Sequence, residues 1–213
     1  MDEKTHGLIL RTRPLTETSL IVHWLTPEAG RIATVAKGAR RPKSPFRGKL
    51  DLFHMADFSF VRSRRSELHL LREVSLRDTH RALREDLHLL RQAAYCALLI
   101  EQCTETSTPL PGIFGLMKDL LTFLPSHPAG PLPVLAFEVK LLAETGLQPD
   151  PAQSNLSLGA RQGLQQLTSA DWDLLAKLRL SPNQITELSQ FLHGFLHWHL
   201  GRLPVGRAAA LAQ

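Results

Sequence analysis

The sequence predicts an α+β protein in which a small barrel of five strands is followed by an all-helical domain. Up to about residue 78, apolar residues recur with a period of two between closely spaced turns, which is typical of short half-buried strands. Beyond that point the period changes to 3.6, which is typical of amphipathic helices. Residues 1–78 hold 15 Lys and Arg against 9 Asp and Glu, whereas residues 79–213 hold 10 against 11. We therefore expect two domains, 1–78 and 79–213.

Five segments of the N-terminal part have the strand pattern: residues 7–13, 19–25, 32–37, 56–61 and 68–77. The alternation is clearest in the fourth, where Ala56, Phe58 and Phe60 are expected to face a core. Tight turns connect the strands except between the third and fourth, where the chain forms a long loop. The five-stranded OB-fold is the commonest barrel of this size that binds single-stranded nucleic acid. An SH3-like barrel or a small sandwich fits the same strand count.

Helical periodicity predicts six further elements, at about residues 83–104, 109–124, 132–146, 158–167, 169–180 and 181–200, with a loop at 125–131. The last helix has the clearest boundaries, because Ser181 and Gln184 form a capping-box pattern around Pro182, and Gly201 follows its end. Residues 202–213 are expected to fray. The apolar stripes predict a compact helical bundle without strands of its own.

The functional prediction depends on the loop between the third and fourth strands. Residues 30–49 contain no acidic residue. The loop within them carries six cations: Lys37, Arg40, Arg41, Lys43, Arg47 and Lys49. Pro42, Pro45, Gly38 and Gly48 disfavour a helix that could hide these charges, which must therefore face solvent or an anion. Six cations on one segment suit a polyanion better than a small ligand.

Two more features of the N-terminal part suit nucleic acid. The turn between the fourth and fifth strands is basic as well, with Arg62, Arg64 and Arg65. Phe46 lies within the cationic loop and is a candidate platform for stacking on bases, worth about 1–3 kcal/mol per base. The alternative is that its ring packs against the barrel. Because few rings are expected to be exposed, phosphate contacts should dominate and sequence preference should be slight.

The sequence does not match the motifs of other classes of site. A phosphate-binding P-loop needs a glycine directly before its lysine, but Pro42 precedes Lys43. His193 and His197, with His199 nearby, have the spacing of zinc ligands on a helix, but Gly194 replaces the glutamate of the His-Glu-x-x-His motif. There is no nucleophile elbow and no pair of carboxylates in a loop. We therefore expect neither an enzyme nor a metal or other cofactor.

Cys96 and Cys103 are the only cysteines, and a separation of seven residues along one predicted helix is too large for a disulfide bond. Free thiols suit a reducing compartment. The first residues are polar rather than a signal peptide, and no apolar run approaches the roughly 20 residues needed to span a bilayer. We expect a soluble, intracellular protein in the reducing cytoplasm.

Several segments resemble the RecO family of bacterial recombination mediators. The matching segments are GLIL (7–10), ETSLIV (17–22), LTPEAG (25–30), AKGARR (36–41) with KS (43–44), and FE (137–138) leading to LLAETGL (141–147). They follow one another through nearly the whole chain. The resemblance is specific, chiefly because the basic loop and the Phe-Glu helix occur together at the proper separation.

The resemblance implies an N-terminal OB-fold, a C-terminal helical domain and no catalytic turnover. Proteins of this family bind single- and double-stranded DNA and anneal complementary strands. They associate with RecR and engage the acidic C-terminal tail of the single-stranded DNA-binding protein, so that RecA can load. Lys37, Arg40 and Arg41 are the positions that the resemblance carries over as DNA contacts, whereas Lys43, Arg47 and Lys49 follow from charge alone.

The sequence departs from the family pattern in one respect. Many members carry a four-cysteine zinc site after the position of Leu147, but residues 148–156 contain no cysteine. No zinc is therefore expected, and a partner contact that needs the zinc module is in doubt.

Two other functions compete with DNA annealing. One is a helical adaptor that binds an acidic peptide, with DNA contact incidental. The other is a transcription regulator reading duplex DNA through residues 169–200. The second needs basic residues on its recognition helix, and residues 181–200 contain no Lys or Arg.

Overall fold

The computed structural model describes residues 2–127 and 130–212, apart from the side chain of Gln153. Pro128 and Ala129, which belong to the loop predicted at 125–131, lie outside the described residues, as does Gln213. The chain forms two compact units. The first unit comprises the chain up to Arg81 together with residues 105–115, and the second comprises residues 82–104 and the chain from Leu116 onward.

The first unit is a closed barrel of five strands. They are β1 (Asp2–Pro14), β2 (Leu20–Thr26), β3 (Gly30–Ala36), β4 (Met55–Val61) and β5 (Leu68–Asp78). Their order around the ring is β1-β2-β3-β5-β4, and β4 pairs back onto β1. Every pairing is antiparallel except the parallel one between β3 and β5. The five-stranded OB-fold barrel is thus confirmed against the SH3-like barrel and the sandwich.

The first strand is longer than the predicted residues 7–13. Its polar N-terminal part pairs with β4 from Asp2 opposite Val61 to Leu8 opposite Met55, and the rest pairs with β2. Backbone pairing requires no apolar side chain, so the hydrophobic pattern could not indicate this extension. The length of β1 allows one strand to contact two neighbours and close the ring.

Aromatic side chains fill the barrel. The rings of Trp24 and Phe58 stack with centroids 4.0 Å apart, and Phe58 also contacts Phe60. The indole Nε1 of Trp24 donates a hydrogen bond of 2.9 Å to Thr34 Oγ1, which satisfies the polar atom of this buried ring. Ala56, Phe58 and Phe60 are buried in this core, as their alternation predicts. The packed interior fixes the positions at which the connecting loops leave the barrel.

Residues 105–115 belong with the barrel unit, although they lie within the predicted helical domain of residues 79–213. Backbone hydrogen bonds attach them: Ser107 N donates to Arg31 O over 2.9 Å, and Leu110 N donates to Pro27 O over 3.0 Å. Gly30 is required here, because a Cβ at this position, whose φ is +64°, would lie 1.7 Å from the carbonyl oxygen of Thr108. Contacts of this kind leave no periodic pattern in the sequence.

The helices of the chain are α1 (Leu87–Cys103), α2 (Pro111–Phe123), α3 (Leu132–Glu144), α4 (Leu158–Ser169), α5 (Trp172–Lys177), α6 (Pro182–Leu200) and α7 (Arg207–Leu211). Short 3-10 helices lie at Arg81–Arg84, Leu124–Ser126 and Pro151–Gln153. The part of the second unit that is described contains no strand, as the sequence predicts. None of the helices in the described ranges combines the length and apolarity needed to cross a bilayer.

The predicted capping box of α6 is confirmed. Ser181 N donates to Gln184 Oε1 over 2.8 Å, and Gln184 N donates to Ser181 Oγ over 3.3 Å. Gly201 closes the helix with a φ of 71°. The expectation that residues 202–213 fray is wrong for α7, where Arg207 is buried.

A buried carboxylate explains the order of α7. Glu138 on α3 has no exposed surface, and its two oxygens accept hydrogen bonds of 2.7 and 2.8 Å from Arg207. Tyr95 on α1 donates its hydroxyl to Glu138 Oε1 over 2.6 Å. Burial and the Glu138 carboxylate raise the pKa of Tyr95, so the phenol keeps the proton that it donates. This network holds α1, α3 and α7 together.

Candidate nucleic-acid interface

The β3–β4 loop, residues 37–54, is built from consecutive tight turns rather than a helix. Backbone hydrogen bonds join residues three apart, with Arg41 N donating to Gly38 O and Ser44 N to Arg41 O, each over 3.0 Å. Gly38 and Gly48 have φ values of +70° and +73°, a conformation in which glycine is unstrained. The turns fix the backbone and leave the long cationic side chains at the surface.

Five cations of the β3–β4 loop are exposed: Lys37, Arg40, Arg41, Lys43 and Arg47. Within the described ranges, no carboxylate forms an ion pair with any of them. Arg40 also has a local role, since its Nη1 donates to Thr16 O over 3.2 Å. Lys49 differs from the five, because it is half-buried and its Nζ donates to Val74 O over 3.0 Å. Lys49 therefore attaches the β3–β4 loop to β5.

Phe46 points inward, and the expectation of an exposed stacking ring is wrong. The side chain is 7% exposed and belongs to the barrel core together with Phe58 and Val74. Ala39 and Leu50 of the same loop pack against this core. The loop therefore covers the core with its apolar residues while its charges face outward. Charge density predicts the outward side chains but not which residue faces the core.

The β4–β5 turn is only partly available. Arg62 donates two hydrogen bonds, of 2.8 and 2.9 Å, to the carboxylate of Glu3. The hydrogen bond from Arg62 holds the pKa of Glu3 below its usual range. Arg62 was expected to contact DNA, but the long β1 strand provides it with a counter-charge. Arg64 and Arg65 are exposed, on a turn in which Ser63 Oγ accepts the backbone N–H of Arg65 over 3.2 Å.

Arg40, Arg41 and Arg47 converge around a depression of about 350 Å³ in the β3–β4 loop. Ala39 and Leu50 also line it. Guanidinium groups bind phosphate oxygens through two parallel N–H donors, so three of them around one hollow can hold a phosphate chain. The side chains that line the hollow include no nucleophile and no general base, and the chemistry that they can offer is anion binding.

A second group of cations was not recognised from the sequence. Arg11 and Arg13 lie on the outer face of β1, and Arg11 is paired in register with His23 on β2. Burial, together with the charges of Arg11, Arg13 and Arg31, lowers the pKa of His23 to about 4. The signal was available, because two arginines at positions i and i+2 of a strand share one face.

The low pKa of His23 predicts acid sensitivity of the barrel. The pKa of His23 in the unfolded chain is about 6.5. Between pH 6.5 and pH 4, His23 is therefore protonated in the unfolded chain but neutral in the folded barrel. The free energy of unfolding should therefore fall as the pH is lowered from 7 to 5. Replacing His23 by Gln should flatten this dependence, measured as urea midpoints at pH 7, 6 and 5. If the urea midpoints of the unaltered protein and the variant fell equally with pH, His23 would not be the source of the acid sensitivity.

In the described part of the chain, no three His, Cys, Asp or Glu side chains lie close enough together to hold a metal ion. His193, His197 and His199 are exposed on α6, and the ring of His199 packs against Phe195 with centroids 4.5 Å apart. Packing on a helix face accounts for this histidine.

Comparisons with known proteins find matches of related description in both units. A domain family described as Recombination protein O N terminal matches residues 1–80, and one described as Recombination protein O C terminal matches residues 84–156 and 150–208. Proteins named DNA repair protein RecO are similar to the chain. The one from Myxococcus xanthus is 35% identical over 67% of the chain and 58% of its own length. The one from Bacillus pumilus is 29% identical over 95% and 81%.

The aligned part of the chain spans little more than half of many of these relatives. For the proteins of the same name from Rhodopirellula baltica and Bacillus subtilis it covers 53% and 57% of their length, at 32% and 33% identity.

Proposed function

Because the chain belongs to the RecO family of DNA repair proteins, we propose that it is a recombination mediator that binds single- and double-stranded DNA and anneals complementary strands. The observation that carries this proposal is the set of five exposed cations on the β3–β4 loop with no carboxylate partner in the described ranges. A fixed loop of this charge suits the phosphates of DNA better than any smaller anion.

Strand annealing follows from where the charge lies. The guanidinium and ammonium groups contact phosphates and lower the repulsion between two strands, while the base edges stay free to pair. The turns of the loop hold these groups at the surface, and the two phenylalanines of the loop, Phe46 and Phe53, are both buried. Binding therefore has little sequence preference. Lys37, Arg41 and Lys43 act most directly, since Arg40 and Arg47 also bond to backbone carbonyls.

We further propose that the protein acts without catalytic turnover, at the nucleoid. Cations and backbone amides bind and orient DNA, but they supply neither a nucleophile nor a general base for chemistry on it. The product of its action is a paired or protein-loaded strand rather than a new covalent bond.

The proposed protein partners are RecR and the acidic tail of the single-stranded DNA-binding protein, with RecA loading as the consequence. A pocket in the helical unit supports the proposal that the acidic tail binds. The pocket has a volume of about 330 Å³ and is lined by Phe123, Leu175, Leu178 and Ile185. Arg179 and His127 also line this pocket. An acidic peptide with an apolar end could place that end among the apolar side chains and its carboxylates near Arg179.

Annealing of complementary oligonucleotides tests the function. The protein should accelerate pairing of bare strands, and also of strands coated with the single-stranded DNA-binding protein. Coating the strands with a binding protein that lacks its acidic tail should abolish only the second effect. Failure to accelerate pairing of bare strands would overturn the annealing function. Full activity on strands coated with the tailless protein would remove the tail as a partner and favour DNA contact alone.

A further inference from the structure

Helix α6 presents an aromatic ridge, formed by Phe191, Phe195 and Trp198, at the surface of the helical unit. The stripe of the same helix that packs into the bundle consists of Leu188, Leu192 and Leu196. The rings of Phe191 and Phe195 are half-buried and lie with centroids 5.9 Å apart. Trp198 is 85% exposed, more than any other large apolar residue in the described ranges. The largest ring of the helix is thus left outside the bundle core.

An open notch lies one turn before Trp198. Gly194 precedes it by four residues, and residues four apart are neighbours on a helix surface. A Cβ at Gly194 would meet no side chain and no other element within 4 Å among the described residues. Helical side chains lean toward the N-terminus of their helix, but the Trp198 ring does not fill the notch. The ridge therefore has a large apolar projection and, about 6 Å along the helix axis, a hole.

The charge of this surface excludes several classes of partner. Residues 188–201 contain no Asp, Glu, Lys or Arg. Nucleic acids and acidic peptides are bound through cations, and helices that lie on membranes carry Lys or Arg on their polar face. The ridge therefore suits an uncharged, apolar protein surface. A second copy of this chain offers such a surface, and two uncharged faces do not repel each other.

The ridge is complementary to itself. In an interface with two-fold symmetry, both copies use the same patch, so a projection on one copy must meet a hole on the other. Trp198 and Gly194 satisfy this requirement when two α6 helices lie antiparallel, with Trp198 of each copy over Gly194 of the other. The two-fold axis then passes beside residue 196, midway between them. The missing side chain at Gly194 lets the two helices approach closely.

We propose that α6 is a self-association surface, through which two copies of this chain pair with Trp198 of each copy in the Gly194 notch of the other. A tryptophan buries about 150–250 Å². With two tryptophans and the phenylalanines beside them, the contact comes to roughly 1,000 Å², which is less than a standard interface buries. We therefore expect a reversible dimer with a dissociation constant on the order of 10–100 μM.

A dimer would carry two β3–β4 loops. Its consequence for DNA rests on the proposed function: two loops on one particle raise the effective concentration of a second strand once the first is bound. The pairing of α6 helices itself needs no DNA, so it can be tested apart from the function.

Sedimentation equilibrium of the full chain without DNA tests the pairing, between about 5 and 300 μM. The average mass should rise from one chain toward two. Trp198→Gln should raise the dissociation constant at least about 30-fold, because a tryptophan at the centre of an interface is lost from both copies. Gly194→Gln should raise it about tenfold or more by filling the notch. Circular dichroism should show unchanged helix content, since both positions are exposed.

Leu174→Gln is the matched control, because Leu174 is an exposed apolar residue of α5, outside the ridge. This variant should associate like the unaltered protein. A mass of one chain throughout the range would overturn the proposal, and so would undiminished association of W198Q or of G194Q. An equal loss in L174Q would attribute association to exposed apolar surface in general and would overturn it too. All these results leave the annealing proposal standing, whereas a dimer that binds no DNA would refute that proposal and leave the α6 contact.

Discussion

Reversing Lys37, Arg41 and Lys43 to glutamate is expected to lower the affinity for a single-stranded oligonucleotide at least about 100-fold in 0.1 M salt. Each lost phosphate contact removes about 0.7 from the salt exponent, or about fivefold in affinity at this salt, and three contacts multiply. Arg40 is left unchanged, because its bond to Thr16 O helps to hold the loop. Fluorescence anisotropy measures the affinity, and circular dichroism checks that the barrel persists.

The matched control reverses three exposed cations of the helical unit, Lys118, Lys177 and Arg202, and changes the net charge by the same amount. This control should bind single strands nearly as well as the unaltered protein. Equal losses in the two triple variants would mean that overall charge, rather than the β3–β4 loop, determines binding.

Replacing Glu138 by Ala should lower the free energy of unfolding of the helical unit by about 3–5 kcal/mol. The variant leaves the guanidinium of Arg207 buried without its carboxylate, and Tyr95 loses its acceptor. Urea titration followed by circular dichroism at 222 nm reports the change. The E138A variant should keep the DNA affinity of the unaltered protein if α7 and the helices that it contacts stabilise only the helical unit.

A paired variant separates lost charge pairing from lost packing. Replacing Glu138 by Leu and Arg207 by Met together should cost much less than E138A, because neither charge is then left alone. Replacing Tyr95 by Phe should cost about 1.5–3 kcal/mol, the range for a hydrogen bond to a charged group. A change below about 1 kcal/mol for E138A would show that the ion pair is not needed to hold α7 in place.

The sequence predicted the features whose signal is local. Alternation indicated the strands, prolines and glycines indicated a turn-rich cationic loop, and the pattern around Ser181 placed the start of α6. Each of these depends on residues that lie a few positions apart, so a periodic or motif-based argument reaches them.

The features that it missed depend on residues far apart in the chain. Arg62 meets Glu3 because β1 pairs with β4, and Arg207 is ordered by Glu138, which lies 69 residues away. Phe46 faces the core because the apolar residues of the β3–β4 loop pack against the barrel, and charge density alone does not show that. The Phe-Glu helix was noted as a motif of the RecO family, but its carboxylate acquires a physical role only in the folded helical unit.

The most direct test of the central claim is the salt dependence of single-strand binding. If the β3–β4 loop neutralises about four phosphates, the slope of log affinity against log salt concentration should be close to −3, from about 0.7 per contact. The triple variant K37E/R41E/K43E should show a slope of about −0.7. A slope indistinguishable from zero for the unaltered protein, or the same slope for both proteins, would contradict phosphate binding by this loop.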